Sequence, residues 1–416
     1  MLINRSDLPT ETRRILMLVH RVPYPPDKGD RIRSYHLLEH LARLGAVDLA
    51  YLCDEPTAAD GLEVLGRLCR RVEGVPVSRV WRWVRAARSL VLGRSLTAGL
   101  FESPVLRSLV GRWVSETAYD AVVCFSSAML PYVLGQGLES RLIVDLVDVD
   151  SQKWRDYAGR ASGPKAALFR LEGRRVQALE QAAGAARAVV LVTGAEADLY
   201  RRFCPEAPVE TIPNGVDLNF FQPMPGTAEP LGCVFVGQLD YRANVLGLEW
   251  FCREAWPAIR AQRPEATFEI VGRNPTAAVR SLGTLPGVRV VGSVADVRPY
   301  LASARVVVVP LPVARGVQNK VLEALAMNRA LVASPAALEG LALVPGRDAL
   351  VAASGDDWAR CIAALWDDPD RRDDLGRNGR RFVEAHHHWK TCLGRFDELI
   401  GVEAGTFPAG MGVRTC

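Results

Sequence analysis

Residues 306–327 read VVVVPLPVARGVQNKVLEALAM. The valine run is a strand suited to burial on both faces, and prolines and a glycine end it before a helix that opens at about Asn319. Lys320 then falls in the first helical turn, where the helix dipole disfavours a cation unless an anion such as phosphate is bound. Glu323 lies about one turn further on, so Asn319, Lys320 and Glu323 can face one pocket. The same spacing suits a surface Lys–Glu pair worth about 0.2–0.5 kcal/mol. Taken alone, the segment leaves both readings open.

The same strand–loop–helix alternation extends in both directions. Apolar runs at 233–236, 267–271, 288–291 and 330–333 accompany the valine strand, with helical patterns at 246–262 and 320–327. Upstream, runs at 15–20, 47–53, 121–125, 141–146 and 188–193 are rich in Val, Ile and Leu, and a helix is expected at about 33–44. This order predicts parallel sheets wrapped by helices. Pro205, Pro208, Pro213, Pro223, Pro225 and Pro230 read as a connection between two α/β domains of similar size, 1–205 and 206–380. A long last helix is expected at 370–399, with Trp389 and Phe396 on one face and 381–400 free to pack back on the first domain. Residues 401–416 read as a loose tail.

Composition narrows the function classes. At 416 residues the chain is long enough for two or three cores. Its 51 Lys+Arg against 47 Asp+Glu leave only +4, and 49% of residues are hydrophobic. Disorder is excluded as the main state, and global charge makes no case for nucleic acid. The nine cysteines include no CxxC pair, and several sit in apolar runs, such as Cys124 in AVVCF and Cys233 in GCVFV. They read as small buried hydrophobes in a reducing compartment, with no disulfide or zinc role. The opening MLINRSDLPTETRR has no apolar signal core, and no run approaches the roughly 18 apolar residues of a membrane span. The expectation is a cytoplasmic protein, soluble or peripheral.

Several loops can carry chemistry. His20 to Arg33, HRVPYPPDKGDRIR, follows the first strand, where ligands of open α/β sheets bind. Gly29 and Asp30 precede the expected helix N-terminus, and Arg31 and Arg33 can add charge-assisted bonds to an anion; a solvated turn is the plain alternative. The loop has no GxGxxG pattern, which disfavours a dinucleotide dehydrogenase. Asp145, Asp148 and Asp150 crowd a strand exit and need solvent, donors or a cation. Capping suits Asp150, whereas Asp148 is the better functional candidate. The turn 212–217, IPNGVD, marks only a turn by itself. Gly237 with Arg242, and Gly272 with Arg273, repeat a strand-end glycine beside a basic residue suited to a phosphate.

Taken in order, these pieces resemble the GT-B glycosyltransferases of family four. GQLDYRANVLGLEWF, IVGRNP, GVQNKVLEALAM and the opening HRVPYPPDKGDRIRSYHLLEHLA are more narrowly similar to sugar transferases associated with PEP-CTERM/exosortase exopolysaccharide systems. The resemblance covers about 15–399. It implies an α/β fold of two Rossmann-like domains facing across a cleft, with a nucleotide-sugar held mainly by the C-terminal one. Glu323 matches the glutamate that binds the nucleotide ribose, whereas the preceding family glutamate is replaced by Arg315. The basic pair that holds the diphosphate is only partly matched: Arg242 lies near the family arginine, the lysine is missing, and Lys320 stands in.

The implied reaction is sugar transfer with retained configuration from a UDP- or GDP-sugar, without metal or other cofactor. Catalysis is expected of Asp148, from its place at a strand exit, and of Arg242 and Lys320, from the partial match to the family's diphosphate-binding pair. Donor binding falls to Gly237, Arg273, Gly316, Asn319, Lys320 and Glu323, and the acceptor side to Gly29, Asp30, Arg31 and Arg33. The acceptor is a lipid-linked or growing saccharide. Residues from Arg79 to Phe101 place Arg79, Arg82, Arg85 and Arg88 three apart beside Trp81 and Trp83. Such a helix either lies on an anionic membrane or buries its tryptophans in the domain. His386, His387 and His388, adjacent in an expected helix, point apart and do not suit one metal. An epimerase on the same fold, or a degenerate nucleotide-binding protein favoured by Arg315, are the rival readings.

Overall fold

The computed structural model describes residues 13–27, 29–53, 59–159, 161–224, 232–314 and 316–401. It divides into two units: residues 13–191, 196–212 and 393–401 form the first, and 192–195 with 213–392 the second. Each is built on one parallel sheet.

The first sheet holds β1 (Arg14–Val19), β2 (Ala46–Cys53), β3 (Arg71–Pro76), β4 (Ala121–Phe125), β5 (Leu142–Val147), β6 (Ala188–Leu191) and β7 (Val209–Thr211). Its spatial order is β3-β2-β1-β4-β5-β6-β7. The second holds β8 (Gly232–Val236), β9 (Thr267–Val271), β10 (Val288–Gly292), β11 (Val306–Val309), β12 (Ala330–Ala333) and β13 (Leu350–Val351), in the order β10-β9-β8-β11-β12-β13. Central strands such as β4 and β11 are buried at every position, because helices cover both sheet faces. Chain order reverses between β1 and β4 and again between β8 and β11. Crevices beyond the carboxyl ends of strands at such reversals are where open α/β sheets bind ligands.

Several sequence expectations change. The first helix runs Gly29–Leu44, so Gly29 and Asp30 open it instead of preceding it. β3, β7 and β13 were not expected. β7 completes the first sheet, which moves the boundary from 205 to the Ile212–Pro213 junction. The helix expected over 246–262 is two helices, Arg242–Trp250 and Trp256–Gln262, joined by a wide turn at Phe251–Ala255. Pro257 has no N–H for the regular ladder, which accounts for the change of register there.

The expected 370–399 helix is also broken, into Pro369–His386, Trp389–Leu393 and Arg395–Ile400. At the break Val216 N–H donates to the His387 carbonyl at 2.7 Å, and Gly215 lies so close to Trp389 that a Cβ would stand 2.7 Å from its backbone nitrogen. Trp389 and Phe396 therefore do not share a helix. The terminal helix packs on the first unit, with Asp397 2.7 Å from His40 and Arg395 2.9 Å from Glu210. No disulfide joins any of the eight described cysteines, and Cys124 and Cys233 are fully buried. Lys28, Arg315 and residues 402–416 of the tail expected at 401–416 lie outside the described residues.

Candidate functional site

In the second unit the reversal between β8 and β11 brings two loops together. The loop after β8 carries Gly237 and leads into the helix Arg242–Trp250; the segment after β11 leads through Gly316 into the helix Asn319–Ala326. Lys320 Nζ, from the second, donates to Asn244 Oδ1 in the first at 2.9 Å and lies 5.5 Å from the Phe235 ring. Asn244 is buried, and its amide nitrogen donates to the Gln238 carbonyl at 2.7 Å, which fixes which oxygen faces the lysine.

Glycine is required where these pieces meet. A Cβ on Gly237 would stand 3.1 Å from both Asn244 Nδ2 and Lys320 Cε. A Cβ on Gly272, at the end of β9 with φ +153°, would stand 1.6 Å from the Gly237 carbonyl oxygen. The loop thus presents bare backbone, as close approach to a phosphate demands.

Charge here is loosely compensated. Burial pulls the Lys320 ammonium down to about 8, against the opposing pull of Glu323. Burial lifts Glu323 to about 7, with Lys320 acting the other way. A cation and a carboxylate of this kind, about one turn apart at a helix N-terminus, suit a polyanion beside a hydroxyl-bearing group. The solvated surface pair that the spacing also allowed is not what forms: both side chains are half-buried, and the lysine bonds to Asn244.

Asn319 accepts from Asn214 Nδ2 at 3.1 Å. The Asn214 carbonyl in turn lies 2.8 Å from His387 Nδ1. The PNGVD turn, which sequence left without chemistry, therefore braces the start of the Lys320 helix from behind. His387 is buried and its pKa is lowered by burial, while His386 packs on Phe382. Arg242 and Arg273 are exposed at the ends of their loops. Asn244, two residues past Arg242, is what contacts Lys320, and only its place in the first turn of the helix after the glycine loop could have flagged it.

The first unit has its own constellation at the reversal between β1 and β4. His20 follows β1, stacks on Phe125 at the end of β4 with ring centres 5.9 Å apart, and meets Phe101 edge-on at 5.3 Å. Asp30 lies 3.5 Å from His20 Nε2 and 3.1 Å from Arg21, and accepts from the Arg31 N–H. Burial alone would raise its pKa, but His20, Arg21 and that N–H together hold it well below the ordinary carboxylate range. Arg31 lies 3.6 Å from Asp27.

The three crowded aspartates separate. Asp145 is fully buried, 2.8 Å from the equally buried Arg33, so the expectation that Arg33 meets an acceptor directly gives way to an internal ion pair. Burial raises Asp145 in spite of that arginine. Asp150 opens the helix Asp150–Gly159 and accepts from Ser127 Oγ at 3.1 Å. Asp148 stays half-exposed just past β5. Its loop is held from below, since Val149 N–H donates to Glu196 and Ser151 N–H to Glu180. Those bonds support Val147 at φ +69°, a costly conformation for a β-branched residue. Among the described residues, no group of three His, Cys, Asp or Glu is placed to hold a metal ion.

Comparisons with known proteins agree with this architecture. Residues 230–368 match the family described as "Glycosyl transferases group 1". No curated protein matches the sequence. Among solved structures, sucrose-phosphate synthase from Thermosynechococcus elongatus is 19% identical with a TM-score of 0.68, over 93% of this chain and 98% of that one. HepE from Anabaena in complex with UDP is 15% identical, TM-score 0.65, over 92% and 98%. WaaG, a glycosyltransferase involved in lipopolysaccharide biosynthesis, is 14% identical, TM-score 0.64, over 93% and 100%. The chain has the GT-B fold of two Rossmann-like domains, and its residues 230–368 match the group 1 glycosyl transferases.

Proposed function

We propose that the chain is a glycosyltransferase that moves a sugar from a UDP- or GDP-sugar to an acceptor hydroxyl. The observation that carries this reading is Lys320, delivered from the helix after β11 to the glycine loop after β8, with Glu323 about one turn on. The family match over this unit supports it. So do the structures of similar fold that hold UDP with glucose, or UDP-glucose.

In this reading Gly237 and Gly316 let the backbone approach the diphosphate, Lys320 and Arg242 neutralise it with help from Arg273, and Glu323 accepts from the ribose hydroxyls beside Asn319. The bond between the anomeric carbon and the diphosphate oxygen breaks, and its electron pair leaves with the phosphate. The acceptor oxygen bonds to the same face of that carbon, and the hydroxyl proton passes to the departing phosphate oxygen. Positive charge aimed at the leaving group is the main catalytic device, so the reading needs no metal and no cofactor. Gly29, Asp30 and Arg31 receive the acceptor together with Asp148, and Arg33 acts by holding Asp145.

The acceptor is a lipid-linked or growing saccharide of exopolysaccharide assembly, met at the inner face of a membrane by a peripheral enzyme. That placement rests on the sequence resemblance to PEP-CTERM/exosortase-associated transferases. Among the described residues no helix is long and apolar enough to cross a membrane.

The test is turnover of UDP- and GDP-sugars with saccharide acceptors, reading the product anomer by NMR. Retained configuration, lost in Lys320→Ala, supports the proposal. Conversion of the donor sugar without acceptor would make the protein an epimerase, and nucleotide binding without turnover would make it a degenerate binder.

A further inference from the structure

The helix Arg79–Val91 presents its apolar side outward. Val80 is 72% exposed, Trp81 61%, Trp83 60% and Val91 85%, with Val84 and Leu92 also open. Positions 80, 84, 87 and 91 fall on one stripe of the helix, and the two tryptophans flank it. The inward side is small: Ala86 and Ser89 are buried against Gly99, where a Cβ would stand 2.9 Å from the Ala86 Cα. Sequence left open whether these tryptophans are buried; the close helix contact at Ala86, Ser89 and Gly99 turns them out.

The helix is nonetheless firmly anchored. Arg175, on the helix Gly163–Ala183, donates to the Leu90 and Arg94 carbonyls at 3.0 and 2.9 Å. Buried Glu172, on the same helix, accepts from Ser95 Oγ and from the Leu96 and Thr97 N–H groups. The apolar face is therefore a fixed feature of the fold and not a frayed end.

Charge selects what covers it. Between residues 79 and 101 there are five arginines, Arg79, Arg82, Arg85, Arg88 and Arg94, and no aspartate or glutamate. The Arg82 guanidinium lies 5.7 Å from the Trp83 ring centre, and Arg88 and Arg94 are exposed. An apolar stripe edged by aromatic rings and exposed arginines fits the boundary between acyl chains and anionic headgroups.

We propose that the Arg79–Val91 helix is a membrane-docking surface that seats Val80, Trp81, Trp83, Val84 and Val91 into an anionic lipid interface. The docking deepens the reading of a lipid-linked acceptor and rests on it for its purpose, but it is measured without substrate.

The experiment is co-sedimentation of the full chain with vesicles of phosphatidylcholine alone or with about one third phosphatidylserine. The result expected is binding to the anionic vesicles only, weakened roughly tenfold by 0.5 M salt. Paired Trp81→Ala and Trp83→Ala substitutions should weaken it by at least about tenfold while leaving the far-UV spectrum and any nucleotide-induced thermal shift unchanged. Paired Arg88→Gln and Arg94→Gln should weaken binding to the anionic vesicles by roughly tenfold. Overturning results are equal sedimentation with both vesicle types, no loss in the tryptophan variant, or a concentration-dependent dimer that those variants make monomeric without vesicle binding. A failed nucleotide shift with intact vesicle binding would sink the transferase reading and leave the docking surface standing.

Discussion

Lys320 ties the proposed donor half-site to pH. Burial lowers the ammonium to about 8, so the free protein loses this charge as pH rises through that value. A bound diphosphate favours the charged form, so affinity for a nucleoside diphosphate is expected to be full below about 8 and to fall by up to about tenfold per pH unit above it. Calorimetric titration with UDP and GDP between pH 7 and 9.5 checks this, and Lys320→Arg should flatten the profile. Asn244→Ala, which removes the oxygen that receives Nζ, should weaken binding by roughly tenfold, as expected for loss of a hydrogen bond to a charged group. A flat wild-type profile would mean that Lys320 does not meet the phosphates. A second residue sets acid stability. Asp48, buried in β2, accepts from Arg70 Nε at 2.9 Å and from Tyr119 OH at 2.6 Å, and also meets Arg71. Burial alone would raise its pKa, but these partners hold it below the ordinary carboxylate value. Its contribution is thus present at neutral pH and lost as the pH falls below about 4. Urea unfolding should show Asp48→Asn destabilised by about 1–3 kcal/mol at pH 7, with a smaller acid-induced loss than the wild type.

At the scale of elements, the glycine loop after β8 depends on β9. Gly272→Ala would place a methyl 1.6 Å from the Gly237 carbonyl oxygen at φ +153°, and is expected to cost about 2–5 kcal/mol. Gly111→Ala, mid-helix within Pro104–Glu116 with nothing near the added methyl, should instead stabilise by about 0.5–1 kcal/mol. Denaturant unfolding of the two variants separates a backbone contact from a general glycine effect. Elements were readable from sequence where one period ruled. The unbroken apolar runs of β4, β11 and β12 announced strands at the bounds observed, and so did β9, whose run is interrupted only by Glu269. β3 did not, because an edge strand reading RVEGVP carries charge and glycine, and β7 was concealed in a proline-rich stretch. The breaks at Phe251–Ala255 and after His386 leave the apolar period intact, so only the proline geometry and the docking of the 213–216 turn reveal them. At the candidate site, Gly237, Lys320 and Glu323 were legible because they sit at strand ends and helix starts. Asn214, Asn244 and His387 were not, since their roles come from chain-distant contacts: Asn214 lies 105 positions from Asn319 and 173 from His387.

For the whole molecule, both chain reversals fall where chemistry-bearing loops collect: His20 and Asp30 in the first unit, and Gly237, Asn244, Lys320 and Glu323 in the second. The central claim is that the second unit holds a nucleotide-sugar through Lys320 and Glu323. The most direct measurement is thermal unfolding of the full chain with UDP, GDP, ADP, TDP and their sugar conjugates, beside Glu323→Ala. At a hundredfold excess over Kd, one nucleotide should raise the Tm of the wild type by about 5–10 °C, and the variant should lose most of that shift. No shift with any nucleotide at millimolar concentration, or an equal shift in Glu323→Ala, would contradict the account.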